Sequence, residues 1–256
     1  MTSKQPQEPA GQVPATPDDP HPRPTGVSTD APTEGADAGG AKAEKRLPLP
    51  DCATVEAKDA GADGWKHPDC RAMFADQSGM AIEARYKPAE DDSTEITVSV
   101  VAKGDATVQT IDERMGNTFN APSLEDFDKD GKIDILVPLE TGNVNTTWAA
   151  WRQVDGGKFV RVGEPNGVSI EKTASGHIAT PARSSANAWD ISFYKLDADQ
   201  LAPVLTVTVE AQGEPDKISR VECSIEDDGE LAATGIKPED ADMQFCSEPV
   251  VADIFK

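Results

Sequence analysis

Asp126-Phe127-Asp128-Lys129-Asp130-Gly131-Lys132-Ile133-Asp134 is the stretch around which the rest of this sequence falls into order. Carboxylates stand at loop positions 1, 3, 5 and 9, a glycine stands at 6, and residues 133–139 follow as an apolar, β-branched run. Calcium takes roughly six to eight oxygens at about 2.3–2.6 Å, and alternating carboxylates can turn that many inward. Gly131 permits the sharp turn that a Cβ would hinder. The backbone carbonyl of Lys132, at position 7, is the expected neutral ligand. Without a cation, carboxylates about 5 Å apart would repel by roughly 3 kcal/mol per pair at an effective dielectric near 20.

Position 12 is Val137 rather than the bidentate Glu of an EF-hand, and the exiting segment reads as strand. The stretch is therefore an EF-hand-like loop that enters a β-strand, with Asp126, Asp128, Asp130, Lys132 and Asp134 as metal ligands and Ca2+ as the cofactor. A loop that saturates its cation leaves no open position for substrate, so a structural ion is expected. The bland alternative is an acidic turn that holds no ion.

Around the loop, short alternating runs separated by Gly, Pro, Asn and Asp predict strands at 95–102, 107–111, 132–139, 146–154, 158–162, 190–196, 203–211 and 217–225. In the first, Ile96, Val98 and Val100 face one way, and Thr97 and Ser99 the other. Helix is expected only at 70–76 and 239–244, the second following Pro238 with acids in its first turn. The pattern is that of an all-β domain over 48–256, a barrel, propeller or sandwich, with a sizeable core. No internal repeat is visible to select a propeller by periodicity.

Residues 1–47 contain no Phe, Trp or Tyr, and positions 1–50 hold half of the chain's 20 prolines, so this segment is expected to be a disordered tether. With 24 Lys and Arg against 46 Asp and Glu, the net charge is -22. Phosphate recognition needs a basic face, which excludes nucleic acid as a natural partner. No apolar run approaches the roughly 18–20 residues that span a bilayer.

Cys52, Cys70, Cys223 and Cys246 permit three pairings. Proximity favours Cys52 with Cys70 and Cys223 with Cys246, each closing a loop of about 20 residues that contributes roughly 3 kcal/mol through the unfolded state. Disulfides would place the protein in an oxidising compartment. Free buried thiols remain the alternative, and a zinc site would want tighter spacing.

No G-x-S-x-G elbow or other catalytic set stands out, so no enzyme is expected. The pairs Asp91-Asp92 and Asp227-Asp228 read as solvated turns. Trp148 and Trp151 are three apart and fall on opposite faces of a strand. Ser175-Gly176-His177 reads as an exposed turn, with projection toward a partner as the alternative.

Taken in order, Val108-Gln109-Thr110-Ile111, the 126–137 stretch, Thr141-Gly142-Asn143 leading to Trp148 and Trp151, Gly157-Lys158-Phe159, residues 190–196 and Gln200-Leu201-Ala202-Pro203 resemble a family. It is that of the bacterial calcium-loop, β-propeller-like immunity proteins that inhibit lysozyme-like effectors of contact-dependent killing. Similar calcium loops occur in integrin-like repeat proteins.

The resemblance implies a small β-propeller-like fold, with a β-sandwich as the alternative, and calcium at Asp126, Asp128, Asp130 and Asp134. It also implies residence in the periplasm, often as a lipoprotein, and a secretion-system effector as protein partner. The sequence departs from the family in showing no signal peptide or lipid-attachment cysteine; trimming would explain both, and membrane contact is expected only through such an anchor. The function expected is therefore inhibition of a peptidoglycan hydrolase, with a calcium-stabilised envelope scaffold or adhesion protein as the alternative. Nothing in the sequence points to the partner-binding residues.

Overall fold

The computed structural model describes residues 48–61, 64–90, 93–214, 217–227 and 229–255. The expected tether at 1–47, together with Asp91, Asp92 and Asp228, lies outside the described residues. After a two-stranded ribbon, β1 (Lys58–Asp59) and β2 (Trp65–Lys66), come three antiparallel meanders in chain order. The first is β3 (Cys70–Met73), β4 (Ala81–Pro88), β5 (Thr94–Val101) and β6 (Thr107–Met115). The second is β7 (Ser123–Glu125), β8 (Asp134–Thr141), β9 (Thr146–Val154) and β10 (Lys158–Gly163), with β11 (Asn166–Gly167) paired to β9. The third is β12 (Glu171–Lys172), β13 (Ile178–Arg183), β14 (Ala188–Asp197), β15 (Gln200–Glu214) and β16 (Lys217–Asp227). Three short helices follow, α1 (Leu231–Thr234), α2 (Pro238–Cys246) and α3 (Pro249–Ala252).

The fold is thus all-β, and each meander has the up-and-down order of a propeller blade. All eight expected strands are present, as is the helix expected at 239–244. The helix expected at 70–76 is instead strand β3 and a turn. There Cys70 and Ala72 face inward with Arg71 between them, and Cys70 pairs with Ala84 of β4, so sheet pairing overrides a weak helical preference.

Side-chain alternation stacks the meanders face to face. Ile82, Val98 and Ile111 of the first pack against Ile135, Val137 and Ala149 of the second. From the opposite face of the second, Leu136 and Ala150 meet Ile178 of the third. The third then turns Ile191, Phe193 and Val207 onto Leu231, Ala241 and Phe245 of the helices. The middle sheet is therefore covered on both faces, and each fully buried large side chain contributes about 1.5–3 kcal/mol. The first sheet ends the stack on a polar face: Arg71 pairs with Glu83 and Asp105, Arg85 with Asp69 and Glu83, and the Thr97 hydroxyl donates to Asp112.

The two tryptophans follow the strand period, Trp151 packing with the first core and Trp148 with the one behind it. Polar contacts fix the seam between the first two sheets. Glu113 of β6 accepts from the Trp151 indole N–H at 2.9 Å and from Arg161 Nε at 2.8 Å. The Gln109 amide donates to the Phe159 carbonyl and accepts from its N–H, both at 2.8 Å, as a neighbouring strand would. Between the second and third sheets Gly167 is needed for space: a Cβ there would lie 2.6 Å from the Pro181 carbonyl oxygen.

Cys52 is bonded to Cys70 and Cys223 to Cys246, the pairing that proximity favours. The first staples the entry segment to β3, and the second ties β16 to α2. Two disulfides suit a protein of an oxidising, extracytoplasmic compartment. Among the described residues, no helix is long and apolar enough to cross a membrane.

Candidate metal centre

The acidic loop joins β7 to β8, and its fold follows from its own side chains. Asp126 accepts from the backbone N–H groups of Asp130 and Gly131, both at 3.0 Å. Asp128 Oδ1 accepts from the Asp130 N–H at 3.1 Å, and Asp130 Oδ1 from the Lys132 N–H at 2.9 Å. These stacked turns need two left-handed residues, Lys129 at φ 51° and Gly131 at φ 87°. For Gly131 the conformation is the constraint, since a Cβ there would meet no atom within 4 Å.

Packing anchors the loop on all three sheets. Phe127, 2 % exposed, enters the core between the second and third meanders, while Ile133 packs with the core between the first and second. The Lys129 ammonium reaches the Lys172 carbonyl on β12 at 3.2 Å.

One carboxylate oxygen each from Asp126, Asp128 and Asp130 lie within 4.8 Å of one another, close enough to share a metal ion. Asp134 is fully buried at the start of β8. Its Oδ1 accepts from the Gln153 backbone N–H at 2.8 Å, and its Oδ2 has no hydrogen-bond partner. Burial pushes its pKa up to about 7; the Asp128 and Asp130 charges push the same way, against the backbone N–H groups of Gln153 and, more weakly, Phe127. Lys132, whose carbonyl is the expected fifth ligand, sends its ammonium outward to Asp155 at 3.1 Å and to Asp130 at 3.8 Å.

Arg152 on β9 is the residue that the sequence reading missed. Its guanidinium forks onto Asp128 Oδ2 through Nε and onto Asp130 Oδ2, at 2.8 Å, through Nη2, and these partners hold it firmly protonated. It neutralises part of the cluster from one side. Asp134, the fourth expected carboxylate ligand, stands outside that group of three, and its buried Oδ2, without a hydrogen-bond partner, is costly to hold as a charge. An all-oxygen donor set with that gap fits a hard divalent cation, whereas zinc would favour nitrogen or sulfur ligands.

Elsewhere Glu248 and the two described histidines are held in structural contacts. Ser175 and Gly176 are exposed at a turn whose Ala174 and Ser175 N–H groups donate to Glu248 at 3.2 and 3.0 Å. His177 Nδ1 lies 2.9 Å from the Ser175 hydroxyl, and its ring packs on Phe245. His67 stacks on Tyr86, with Nε2 2.8 Å from the Thr118 carbonyl. Burial lowers the pKa of both histidines.

No protein-family description matches the chain, and no curated protein matches it. Among solved structures it is similar to a Xanthomonas type IV secretion system related protein, at 10% identity and a TM-score of 0.41, over 67% of this chain and 93% of that one. A likeness so remote adds nothing to the reading of the site.

Proposed function

We propose that this chain is an extracytoplasmic protein that holds one structural calcium ion in its 126–134 loop and works by binding another protein, as an inhibitor of a lysozyme-like peptidoglycan hydrolase. The observation that carries the calcium reading is the cluster of Asp126, Asp128 and Asp130, with the buried Asp134 Oδ2, which has no hydrogen-bond partner, near enough for the Asp128 and Asp130 charges to act on that carboxyl. The ion would pin a connection that touches all three sheets. Asp126, Asp128, Asp130 and Asp134 would supply carboxylate oxygens, and Lys132 its carbonyl.

The inhibitor reading is supported by the resemblance of the loop and its flanking residues to the immunity proteins. It is also supported by charge: a net charge of -22 steers the protein toward basic hydrolases, raising the association rate more than the affinity. On this reading the protein turns over no substrate itself.

Two measurements test the proposal. Calcium titration by calorimetry should give one site, with magnesium weaker and zinc weaker still; equal binding of all three would overturn the calcium assignment. Lysis of peptidoglycan by purified basic lysozyme-type hydrolases should slow when the full chain is added. An unchanged rate across a panel of such enzymes would overturn the inhibitor reading and leave the metal site intact.

A further inference from the structure

Among the described residues eight large hydrophobic side chains are exposed, and four of them, Met73, Phe119, Val144 and Val168, line a single groove of about 740 Å³. Single exposed apolar residues are ordinary, but a cluster in one concavity marks a surface that is covered in use. One wall comes from the entry segment beside the Cys52–Cys70 disulfide and from the end of β3. The other comes from the 119–125 segment, the β8–β9 turn and the residue after β11, with Trp148 between.

The groove is already formed. Beneath it the Asn120 amide donates to Thr141 Oγ1 at 3.0 Å and to Thr146 Oγ1 at 3.2 Å, and the Thr118 and Thr141 hydroxyls are 2.7 Å apart. Thr118, Thr141 and Thr146 are buried, so this satisfied network locks the wall onto the β8–β9 hairpin. Binding would then cost little ordering of the protein.

Charge decides the occupant. Asp51 and Glu125 stand on the rim, no Lys or Arg lines the groove, and neither carboxylate is paired with a cation among the described residues. A second copy would bring this acidic rim against itself in a self-complementary interface, which like charges oppose. We infer that the groove is the docking surface for a basic protein, taking a loop that presents apolar side chains flanked by Lys or Arg. The inference rests on the reading of this chain as a protein-binding inhibitor and gives that reading a face.

The test measures binding of the full chain to two probes by calorimetry. One is a basic lysozyme-type hydrolase that the chain inhibits, or failing that the same panel of enzymes. The other is a capped pentapeptide alternating lysine with phenylalanine and leucine, set beside its glutamate twin. Two variants are compared, Val144→Arg and the double change Asp51→Asn with Glu125→Gln, each first shown to keep the unmodified melting temperature. Both probes should bind, the glutamate twin should not, and each variant should weaken binding by about ten-fold or more. A hydrolase that binds both variants unchanged overturns the groove and leaves the inhibitor reading standing. A panel without a binder, with the lysine peptide bound and weakened by the variants, supports the groove while the inhibitor reading falls. No binding of either probe, or equal binding of the two peptides, overturns the inference, as does a dimer in sedimentation that Val144→Arg dissolves.

Discussion

Glu113 and Asp134 are both carboxylates that accept from β9, Glu113 from the Trp151 indole and Asp134 from the Gln153 backbone N–H, and they end in opposite states. Glu113 is closed: the Trp151 indole and Arg161 Nε fill Oε1, and Arg161 Nη2 approaches Oε2 at 3.4 Å. Asp134 is half open, one oxygen bonded to the Gln153 N–H and the other buried without a partner, with Asp128 and Asp130 close enough to raise its pKa. The difference separates two uses of a buried charge. Where the chain supplies every partner, the carboxylate is a staple between sheets. Where it leaves an oxygen without a donor near other carboxylates, the site has room for a proton, a water or a cation to supply the missing partner.

The largest expected effect is the pH dependence of the open site. The folded pKa of Asp134, about 7, lies above the ordinary aspartate value near 3.9. Between the two the folded state holds a proton that the unfolded state has lost, so stability is full below about pH 4 and declines as pH rises toward 7. For the isolated group the loss approaches about 4 kcal/mol. Calcium should abolish the decline by holding Asp134 ionised. Urea unfolding from pH 4 to 7.5, with chelator and with calcium, reads both curves, and Asp134→Asn should flatten the chelator curve. Identical slopes with and without calcium would close the supposed open site.

Breaking the closed site comes next. Glu113→Ala leaves the Trp151 N–H and Arg161 Nε without their acceptor in a packed seam, the guanidinium keeping only Glu164 through Nη2, at a cost of about 3 kcal/mol. Because no metal is involved, the loss should be the same with chelator and with calcium. A calcium-dependent loss would mean that the two sites are coupled and the contrast is false.

Calcium itself should raise stability by about 2.7 kcal/mol when free ion is about 100 times its dissociation constant, and by less if millimolar calcium only approaches half saturation. Asp128→Ala should remove that increment. The change also releases Arg152, so the quantity to compare is the calcium-minus-chelator difference in melting temperature rather than either value alone. An unchanged increment would exclude Asp128 from the ligand set. The smallest effect is expected at Asp155, which meets Lys132 from full solvent exposure; Asp155→Asn should leave melting unchanged in both conditions.

The acidic loop was readable from the sequence because its ligands are contiguous and its turns are closed by its own carboxylates. Its partner Arg152 was not. Thr141 faces Thr146 at the β8–β9 turn, and counting back from there would set Asp134 level with Gln153. A bulge between Pro138 and Glu140 slips the register so that Ile135 faces Trp151, which brings Arg152 level with Asp134 and onto the cluster. One residue of slip exchanges the faces of a strand, and nothing in the local pattern marks it. β4 was missed for a related reason: its outward Glu83, Arg85 and Lys87 and its inward Ala84 are weak strand formers, and the fold tolerates them between β3 and β5.

By itself the sequence determined what is local: eight strand positions, the helix after Pro238, the two disulfide pairs that proximity favours, the loop with its carboxylates, and the opposed faces of Trp148 and Trp151. These are legible because a two-residue period, a proline or a short separation leaves its mark within a few positions. Only the tertiary structure decided which apolar face meets which, that Glu113 would find Arg161 forty-eight residues away, that Asp134 would keep one oxygen empty, and that Met73, Phe119, Val144 and Val168 would share one groove. Periodicity states that a face is apolar or a carboxylate inward; what stands opposite is set by the stacking of three sheets, a sum over contacts between segments far apart in the chain.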